Sequence, residues 1–350
     1  MHFLDDSLFP ENQEKLVITA APYGPEWEPA DADDIPLTMD EHVQAAVDCY
    51  NAGATVLHIH VRELDGKGSK RLSKFNELLG ELRVAVPNMI LQVGGSISFA
   101  PEGEGEAAKW LSDDTRHMLA ELTPAPDQVT MAVNTSQFNI VELMDEKDLQ
   151  GTSLSEPQLY ESYREMTVPA GPGWVEEHIK RLSAKGIQSH FQLAQISQLE
   201  TLERMMRRGK ANVPLILTWV AIGGGFDAPN PYTMMNFIRQ VPDGAVLTLE
   251  SSMRHVLPLN MMAIAMGLHV RCGNEDNLWT QDASSRMSSV RQVEQLARIS
   301  REFGRDVAGG NAARRIYRIG EFYSSVDETL AKNGFPPNRQ PGQKGFLLHA

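Results

Sequence analysis

The chain has few cysteines and too little positive charge to bind polyanions. Cys49 and Cys272 are the only cysteines among 350 residues, which gives no disulfide framework and suits the reducing cytoplasm. Lysine and arginine total 32 against 46 aspartates and glutamates, and the formal net charge is -14. Such a surface repels phosphate backbones and anionic lipids. We therefore expect a cytoplasmic protein with small-molecule partners, and neither nucleic acid nor membrane as a partner.

Long apolar runs are also absent. No stretch approaches the ~18 apolar residues that a membrane-spanning helix needs. The first residues, 1–6, lack the basic segment and apolar run of a secretory signal. Hydrophobic residues make up 42% and charged residues 22%, which is typical of a globular protein. The composition thus predicts a folded chain with a sizeable core.

Eight short apolar, β-branched runs alternate with helical patterns. The first four are residues 15–21, 55–61, 89–93 and 128–133, and the later ones begin near residues 189, 214, 245 and 267. Such alternation predicts βαβ units and a parallel sheet, and eight strands favour a closed (β/α)8 TIM barrel over an open doubly wound sheet. A helical C-terminal extension, residues 285–334, follows the eighth run. We predict one barrel domain over residues 1–350, with residues 1–14 and 335–350 as terminal extensions.

The second predicted strand ends in a His-x-His pair. His58 and His60 are two residues apart, so their side chains point to the same face of the strand, which Arg62 shares. Two imidazoles on one face can bind one metal ion, although such pairs also occur as structural histidines. Catalytic residues of these barrels lie at the carboxyl ends of strands. The position of the pair therefore favours a metal site, which needs a third ligand.

A charged segment follows the eighth predicted strand. Residues 271–277 read Arg-Cys-Gly-Asn-Glu-Asp-Asn. The first, second and last strands of a closed barrel lie close together, so Glu275 is a candidate for the third ligand. Two histidines and one carboxylate suit zinc, but also Fe(II), Co(II) or Mn(II). The alternative interpretation of this segment is a surface loop with arginine–carboxylate pairs. We expect Cys272 to be a buried residue that packs in the core.

Three motifs together resemble the β-keto acid cleavage enzymes. They are the first strand with Gly24-Pro25-Glu26, the run His-Ile-His-Val-Arg-Glu-Leu-Asp-Gly at 58–66, and the segment 271–277. Their order and spacing match the family over residues 15–310. The resemblance implies a (β/α)8 fold, a zinc ion, acetyl-CoA as co-substrate and a homotetramer. It implies an acyltransferase that converts a β-keto acid and acetyl-CoA into acetoacetate and a new acyl-CoA by retro-Claisen cleavage.

The resemblance also assigns roles to residues. It implies that His58, His60 and Glu275 are the metal ligands. Asp276 corresponds to the general base and Arg271 to its ion-pair partner. The residues placed at the substrate are Glu26, which corresponds to a contact with a cationic amino tail, together with Thr130, Gly94 and Arg62.

The sequence departs from the family pattern at substrate positions. Gly94 stands in place of a serine, Ala132 in place of an asparagine, and Gln192 in place of a carboxylate that supports the base. We hypothesise that His190 compensates for Gln192. Insertions at 101–105 and around 146–170 add to these differences. The ligands and the base are intact, so the departures concern which β-keto acid is used and how the base is tuned.

Two other functions compete with this interpretation. Amidohydrolase-type metal hydrolases also use a His-x-His strand in a barrel, and His190 and Asp276 can be compared with their further ligands. That superfamily, however, places the pair on the first strand, with a lysine on the fourth and a histidine on the sixth, and this chain shows none of these features. The second alternative is a non-catalytic, metal-stabilised barrel, against which stands the convergence of three motifs on one barrel mouth.

Overall fold

The computed structural model describes residues 1–95, 116–144 and 146–345, and a closed barrel of eight parallel strands forms its centre. The (β/α)8 prediction is therefore confirmed, and each of the eight predicted runs contains a barrel strand. Two short strands, β5 Ser136–Gln137 and β6 Thr167–Val168, form a separate antiparallel pair that the sequence pattern did not predict. The strands are β1 Ile18–Ala20, β2 Val56–Ile59, β3 Ile90–Val93, β4 Gln128–Ala132, β5 Ser136–Gln137, β6 Thr167–Val168, β7 Gln188–Leu193, β8 Ile216–Ala221, β9 Val246–Ser251 and β10 His269–Cys272.

The barrel closes between its first and last strands. The order around it is β1-β10-β9-β8-β7-β4-β3-β2. Thr19 of β1 is in register with Arg271 of β10, and Ala20 is in register with Leu57 of β2. Only β1 therefore separates the strand that carries the histidine pair from the strand that precedes Glu275. The carboxyl ends of these strands meet at the same mouth of the barrel.

Helices surround the barrel and continue into the C-terminal extension. Thr38 caps the first helix in a reciprocal capping box with Glu41, and Gly53 ends it with φ 124°. The α-helices are Met39–Ala52, Leu72–Ala85, Glu146–Leu149, Pro157–Arg164, Pro172–Ala184, Ile196–Arg207, Pro231–Ile238, Val256–Ala265, Ser289–Phe303, Gly310–Ile316 and Val326–Asn333. The 3-10 helices are Pro10–Asn12, Met118–Glu121, Ile140–Leu143, Ser153–Ser155 and Met253–His255.

Alternation along the strands separates the core from the barrel interior. Leu57 and Ile59 of β2 belong to the large apolar cluster that also holds the helix residues Phe75 and Leu78. The intervening residues, including His58, point into the barrel. At the amino end of the barrel, Tyr317 of the C-terminal extension closes the interior through a 2.6 Å hydrogen bond with Thr248. Within the described ranges, no helix is long and apolar enough to cross a membrane.

A second apolar cluster lies over the mouth of the barrel. It joins Trp27 after β1, Ile140 after β4, Tyr163 from the helix Pro157–Arg164, and Ile222 after β8. The insertion around 146–170 supplies part of this cluster through its helices and β6. The insertion at 101–105 lies outside the described residues. The mouth is thus covered on one side by apolar segments that are distant in sequence.

Candidate active site

His58, His60 and Glu275 meet at the barrel mouth. His58 Nε2 is 3.2 Å from His60 Nε2 and 3.5 Å from Glu275 Oε1, and His60 Nε2 is 3.7 Å from the same oxygen. Tetrahedral zinc with bonds of about 2.0–2.1 Å separates its ligand atoms by about 3.3 Å. Glu275 Oε2 is buried and has no hydrogen-bond partner in the described part of the chain. The spacing and the unsatisfied oxygen fit a bound zinc ion.

A glutamine sets the orientation of His58. Gln92 Nε2 donates to Gln128 Oε1 at 2.9 Å and lies 3.1 Å from His190 Nδ1, so Gln92 Oε1 is left to accept from His58 Nδ1 at 2.8 Å. The proton on Nδ1 leaves the lone pair of Nε2 facing Glu275, as a metal ligand requires. Burial lowers the pKa of His58 to about 3, which keeps the ring neutral. The neutral ring is the form that binds metals.

Gly94 makes room for the histidine pair. A Cβ atom at this position would lie 2.4 Å from His60 Cε1, 2.5 Å from His60 Nε2 and 3.0 Å from His58 Nε2. A serine is therefore incompatible with the ring positions in this chain. Gly95 follows, and its backbone N–H donates to Thr130 Oγ1 at 2.7 Å, which fixes the turn after β3. The departure at Gly94 thus has a steric reason within the site itself.

Arg271 and Asp276 form a buried ion pair beside the ligands. Arg271 Nε donates to Asp276 Oδ2 at 2.9 Å and Nη2 donates to Oδ1 at 2.8 Å, while Nη2 also lies 2.6 Å from Glu275 Oε1. This two-bond geometry fixes the carboxylate in one orientation. Burial raises the pKa of Asp276 to about 6, although Arg271 opposes the rise. A carboxylate with a raised pKa is a better proton acceptor near neutral pH.

The loop that carries Glu275 and Asp276 is held on several sides. Gly273 has φ 138°, and a Cβ there would lie 2.1 Å from Ala21 O, so only glycine fits this close approach to β1. Asn274 Nδ2 donates to Asp34 Oδ1 at 2.7 Å. Trp27 Nε1 donates to the backbone oxygen of Glu275 at 3.1 Å. The two carboxylates are therefore positioned by the surrounding backbone as well as by Arg271.

Glu250 is a site residue that the sequence analysis missed. It lies near the end of β9, with Oε2 3.3 Å from Arg271 Nη1, and it accepts a 3.4 Å hydrogen bond from Gln192 Nε2. Burial raises the pKa of Glu250 to about 8, against the opposing charge of Arg271. Gln192, which replaces a family carboxylate, therefore contacts a different carboxylate. Glu250 shares the inward face of β9 with Thr248, two residues earlier, and this position is the signal that could have identified Glu250.

The hypothesis that His190 compensates for Gln192 does not match the contacts. His190 Nε2 lies 2.7 Å from Thr218 Oγ1, and Nδ1 faces Gln92. Both contacts belong to the interior of the barrel below the ion pair. Burial lowers the pKa of His190 to about 3, so the ring is neutral. His190 supports Gln92 and hence His58, and Glu250 is the group beside Arg271.

Glu26 and Arg62 differ in their relation to the site. Glu26 packs against the third ligand: a Cβ built on Gly24 would lie 2.2 Å from both Glu26 Oε2 and Glu275 Cγ. Burial raises the pKa of Glu26 well above its usual value, and the neighbouring Glu275 adds to the rise. The Arg62 guanidinium donates to the backbone oxygen of Gly24 at 2.8 Å and to that of Trp27. Arg62 therefore braces the loop after β1 and lines a neighbouring cavity.

The ligands open into a cavity of about 820 Å³, its open mouth included. One side, which we call the polar end, consists of His58, His60, Glu250, Arg271, Glu275 and Asp276. The other side, which we call the apolar wall, consists of Phe138, Ile140, Val168, Val220, Ile222 and Phe226. The cavity thus joins a reactive, charged surface to an uncharged one.

The whole-chain comparisons agree with the motifs. A model of the beta-keto acid cleavage enzyme family matches residues 15–319. The 3-keto-5-aminohexanoate cleavage enzyme of Acetoanaerobium sticklandii is 26% identical over 309 residues, which cover 87% of this chain and 99% of the relative. The 3,5-dioxohexanoate:acetyl-CoA acetone transferase of Paraburkholderia graminis is 25% identical over 320 residues, covering 87% of this chain and 96% of the relative.

A solved structure has a similar fold. The ternary complex of ObcA with a C4-CoA adduct and oxalate matches with a TM-score of 0.60 and 13% identity, covering 82% of this chain and 68% of that chain. At this identity the match supports the barrel fold alone.

Proposed function

Because the chain belongs to the β-keto acid cleavage enzyme family, we propose that it converts a β-keto acid and acetyl-CoA into acetoacetate and a new acyl-CoA. The acyl group R-CO of the substrate R-CO-CH2-COO⁻ moves to CoA, and the acetyl group takes its place on the CH2-COO⁻ fragment. The observation that carries this proposal is the grouping of His58, His60 and Glu275 at coordination spacing beside the Arg271–Asp276 pair.

His58, His60 and Glu275 are the residues that would hold zinc. When bound, zinc supplies Lewis acidity, which polarises the carboxylate and keto oxygens of a β-keto acid and acidifies the carbon between them. A set of three protein ligands would leave zinc accessible to exogenous ligands, as in other catalytic zinc sites. The proposal includes the homotetramer that the family resemblance implies, which light scattering on the purified protein tests.

Asp276 acts as the base in this proposal. Its carboxylate accepts the proton from the carbon between the two carbonyl groups, and Arg271 keeps it aimed through two hydrogen bonds. The resulting carbanion forms a bond to the acetyl carbon of acetyl-CoA, and the CoA thiolate leaves. The thiolate then adds to the original keto carbon. The bond between that carbon and the central carbon breaks, and Asp276 returns the proton to give acetoacetate.

The amidohydrolase alternative finds no support in the barrel. Its fourth strand, β4, reads Gln-Val-Thr-Met-Ala, and its sixth, β8, reads Ile-Leu-Thr-Trp-Val-Ala. These strands offer neither the lysine nor the histidine that such a site requires. The cleavage of β-keto acids is therefore the function that the geometry supports best.

The direct test measures acetoacetate from a panel of β-keto acids with acetyl-CoA, using the zinc-loaded protein beside His58→Ala. We expect acetoacetate from at least one member with the wild type and none above background with the variant. Hydrolysis that needs no CoA, together with no acetoacetate from any member, would contradict the proposal.

A further inference from the structure

The strand order places the polar end and the apolar wall on opposite sides of the barrel mouth. In the order β1-β10-β9-β8-β7-β4-β3-β2, strand β8 is diametrically opposite β2, and β4 is diametrically opposite β10. The ligands come from β2 and from the loop after β10. Most of the apolar wall comes from β8, from the loop that follows it, and from the segment after β4. A substrate whose keto acid head is held at the ligands therefore extends its tail toward the apolar wall.

The charged groups that line the cavity are those of the polar end together with Glu26. Arg271, the only cationic side chain among the described residues that line the cavity, is already paired with Glu250, Glu275 and Asp276. Glu26 lies beside Glu275, and its buried Oε2 has no hydrogen-bond partner among the described residues. A carboxylate or an ammonium group at the far end of the tail thus meets no opposite charge on the described part of the wall.

The apolar wall is built as a fixed surface. Phe138 and Phe226 pack edge to face, with ring centroids 5.2 Å apart. Their segments are joined at Gly224, whose backbone oxygen accepts from Asn139 N at 3.2 Å, and where a Cβ would lie 2.2 Å from Asn139 O. Val168 is held by pairing with Ser136 between β5 and β6. Several elements therefore cooperate to present carbon surface to the cavity.

We propose that the substrate of this site is a β-keto acid whose tail is uncharged and apolar, an alkyl or aryl chain packed against the apolar wall. The inference rests on the proposed function and names the substrate class within it. It replaces the cationic amino tail that the family resemblance implies for Glu26. The acyl-CoA product then carries the same apolar chain.

The physical chemistry gives the size of the expected preference. Each methylene removed from water contributes about 0.8 kcal/mol, which corresponds to a rise of about 4-fold in kcat/KM until the wall is filled. A buried charge without a partner costs several kcal/mol, so a tail of equal length that ends in an ammonium or carboxylate group is expected to react roughly 100-fold more slowly.

The experiment measures kcat/KM for acetoacetate release at saturating acetyl-CoA. The substrates are β-keto acids with alkyl tails of increasing length, and tails of matched length that end in an ammonium or a carboxylate group. The test variant is Phe138→Glu, which places a carboxylate on the half-buried edge of the wall. The matched control is Phe303→Glu, at the exposed end of the helix Ser289–Phe303. The KM for acetyl-CoA is measured for each protein.

We expect kcat/KM to rise with alkyl length in the wild type and in Phe303→Glu. Phe138→Glu is expected to lose at least 10-fold on the long alkyl tails, to gain on the ammonium tail, and to keep its KM for acetyl-CoA. Acetoacetate formed fastest from a charged tail would overturn the inference and leave the proposed function standing. So would a Phe138→Glu variant that changes only the KM for acetyl-CoA. Acetoacetate from no substrate would refute the proposed function itself.

Discussion

The polar end and the apolar wall of the cavity are built by different means. The polar end is set by strand residues and by one braced loop, and its charges neutralise one another around Arg271. The wall draws four of its six side chains from the segments after β4 and β8, which are far apart in sequence. In barrels of this kind, the strands fix the geometry and the loops vary. The reaction and the choice of tail are therefore assigned to separate parts of the chain.

The largest effect should come from removing a ligand at the polar end. His58→Ala takes away one of three ligand atoms, so zinc is lost and kcat/KM falls by more than roughly 1,000-fold. Metal analysis and acetoacetate release check this outcome. His2→Ala is the control, because His2 is exposed and paired with Asp243 far from the mouth. Full zinc content in His58→Ala would contradict the assignment of the ligand.

Asp276→Asn should separate the base from the metal. The amide keeps the shape of the side chain but cannot accept the proton, so kcat should fall roughly 100- to 1,000-fold. Because Asp276 is not a ligand in this account, the zinc content should stay at the wild-type level. A variant that loses both activity and zinc would show that Asp276 holds the metal, and the division of roles within the polar end would be wrong.

Gly94→Ser tests the steric account of a family departure. The new Cβ would lie 2.4 Å from His60 Cε1, so the ring must move, and zinc affinity should fall roughly 10- to 100-fold. Competition with a chelator measures the affinity. Gly80→Ser is the matched control, since a Cβ at Gly80 meets no atom within 4 Å. Unchanged affinity in Gly94→Ser would mean that His60 has another position available.

Glu250→Gln should have a smaller effect. The substitution replaces a carboxyl group 3.3 Å from Arg271 Nη1 with an amide of the same shape and leaves both hydrogen bonds from Arg271 to Asp276. We expect kcat to fall about 10-fold, with zinc content and KM for acetyl-CoA unchanged. Steady-state kinetics on the zinc-loaded variant measure this. A loss as large as that in Asp276→Asn would place Glu250 among the groups that transfer the proton.

The smallest effect on turnover is expected from a change at Asp127, which directly precedes β4 and lines neither the polar end nor the apolar wall. Asp127 accepts from Arg314 Nη2 at 2.7 Å, from Arg83 Nη1 at 2.8 Å and from Leu91 N at 2.9 Å. Burial alone would raise the pKa of Asp127, but these partners hold it below its usual value. Asp127→Asn should lower the free energy of unfolding by about 2 kcal/mol at neutral pH and leave kcat unchanged.

The pH dependence of this stability has a defined sign. A carboxylate with a lowered folded-state pKa contributes stability above its unfolded pKa of about 3.9, and the contribution disappears as pH falls through the folded value. The unfolding free energies of the wild type and Asp127→Asn should therefore converge as the pH falls through the lowered folded-state pKa of Asp127. Denaturant titrations at several pH values measure this. A difference that stays constant down to acid pH would show that the charge of Asp127 does not contribute.

The strands and the histidine pair could be predicted because their signals are local. A period of two along residues 55–61 places His58 and His60 on one face whatever the rest of the chain does. Eight such runs leave few topologies other than a closed barrel. The proximity of Glu275 followed from closure alone, since β10 and β2 both flank β1.

The other features of the site depend on residues that are distant in sequence but close together in the folded protein. Glu250 reads as an ordinary strand end until β10 brings Arg271 beside it. Two barrel strands, β7 and β8, separate Phe138 from Phe226 in the sequence, and the two residues become one surface only in the folded protein. Strands β5 and β6 have two residues each, which is too short for any periodicity. For these reasons, the specificity for the substrate tail could not be predicted from the sequence.

In the proposed reaction, a carbon–carbon bond to the acetyl group forms before the new acyl-CoA is released. Acetyl-CoA labelled with ¹³C at the carbonyl carbon tests it most directly, with NMR of the products from an alkyl β-keto acid. We expect the label at the keto carbon of acetoacetate and none in the acyl group of the new acyl-CoA. Unlabelled acetoacetate, or label found only in free acetate, would contradict the account.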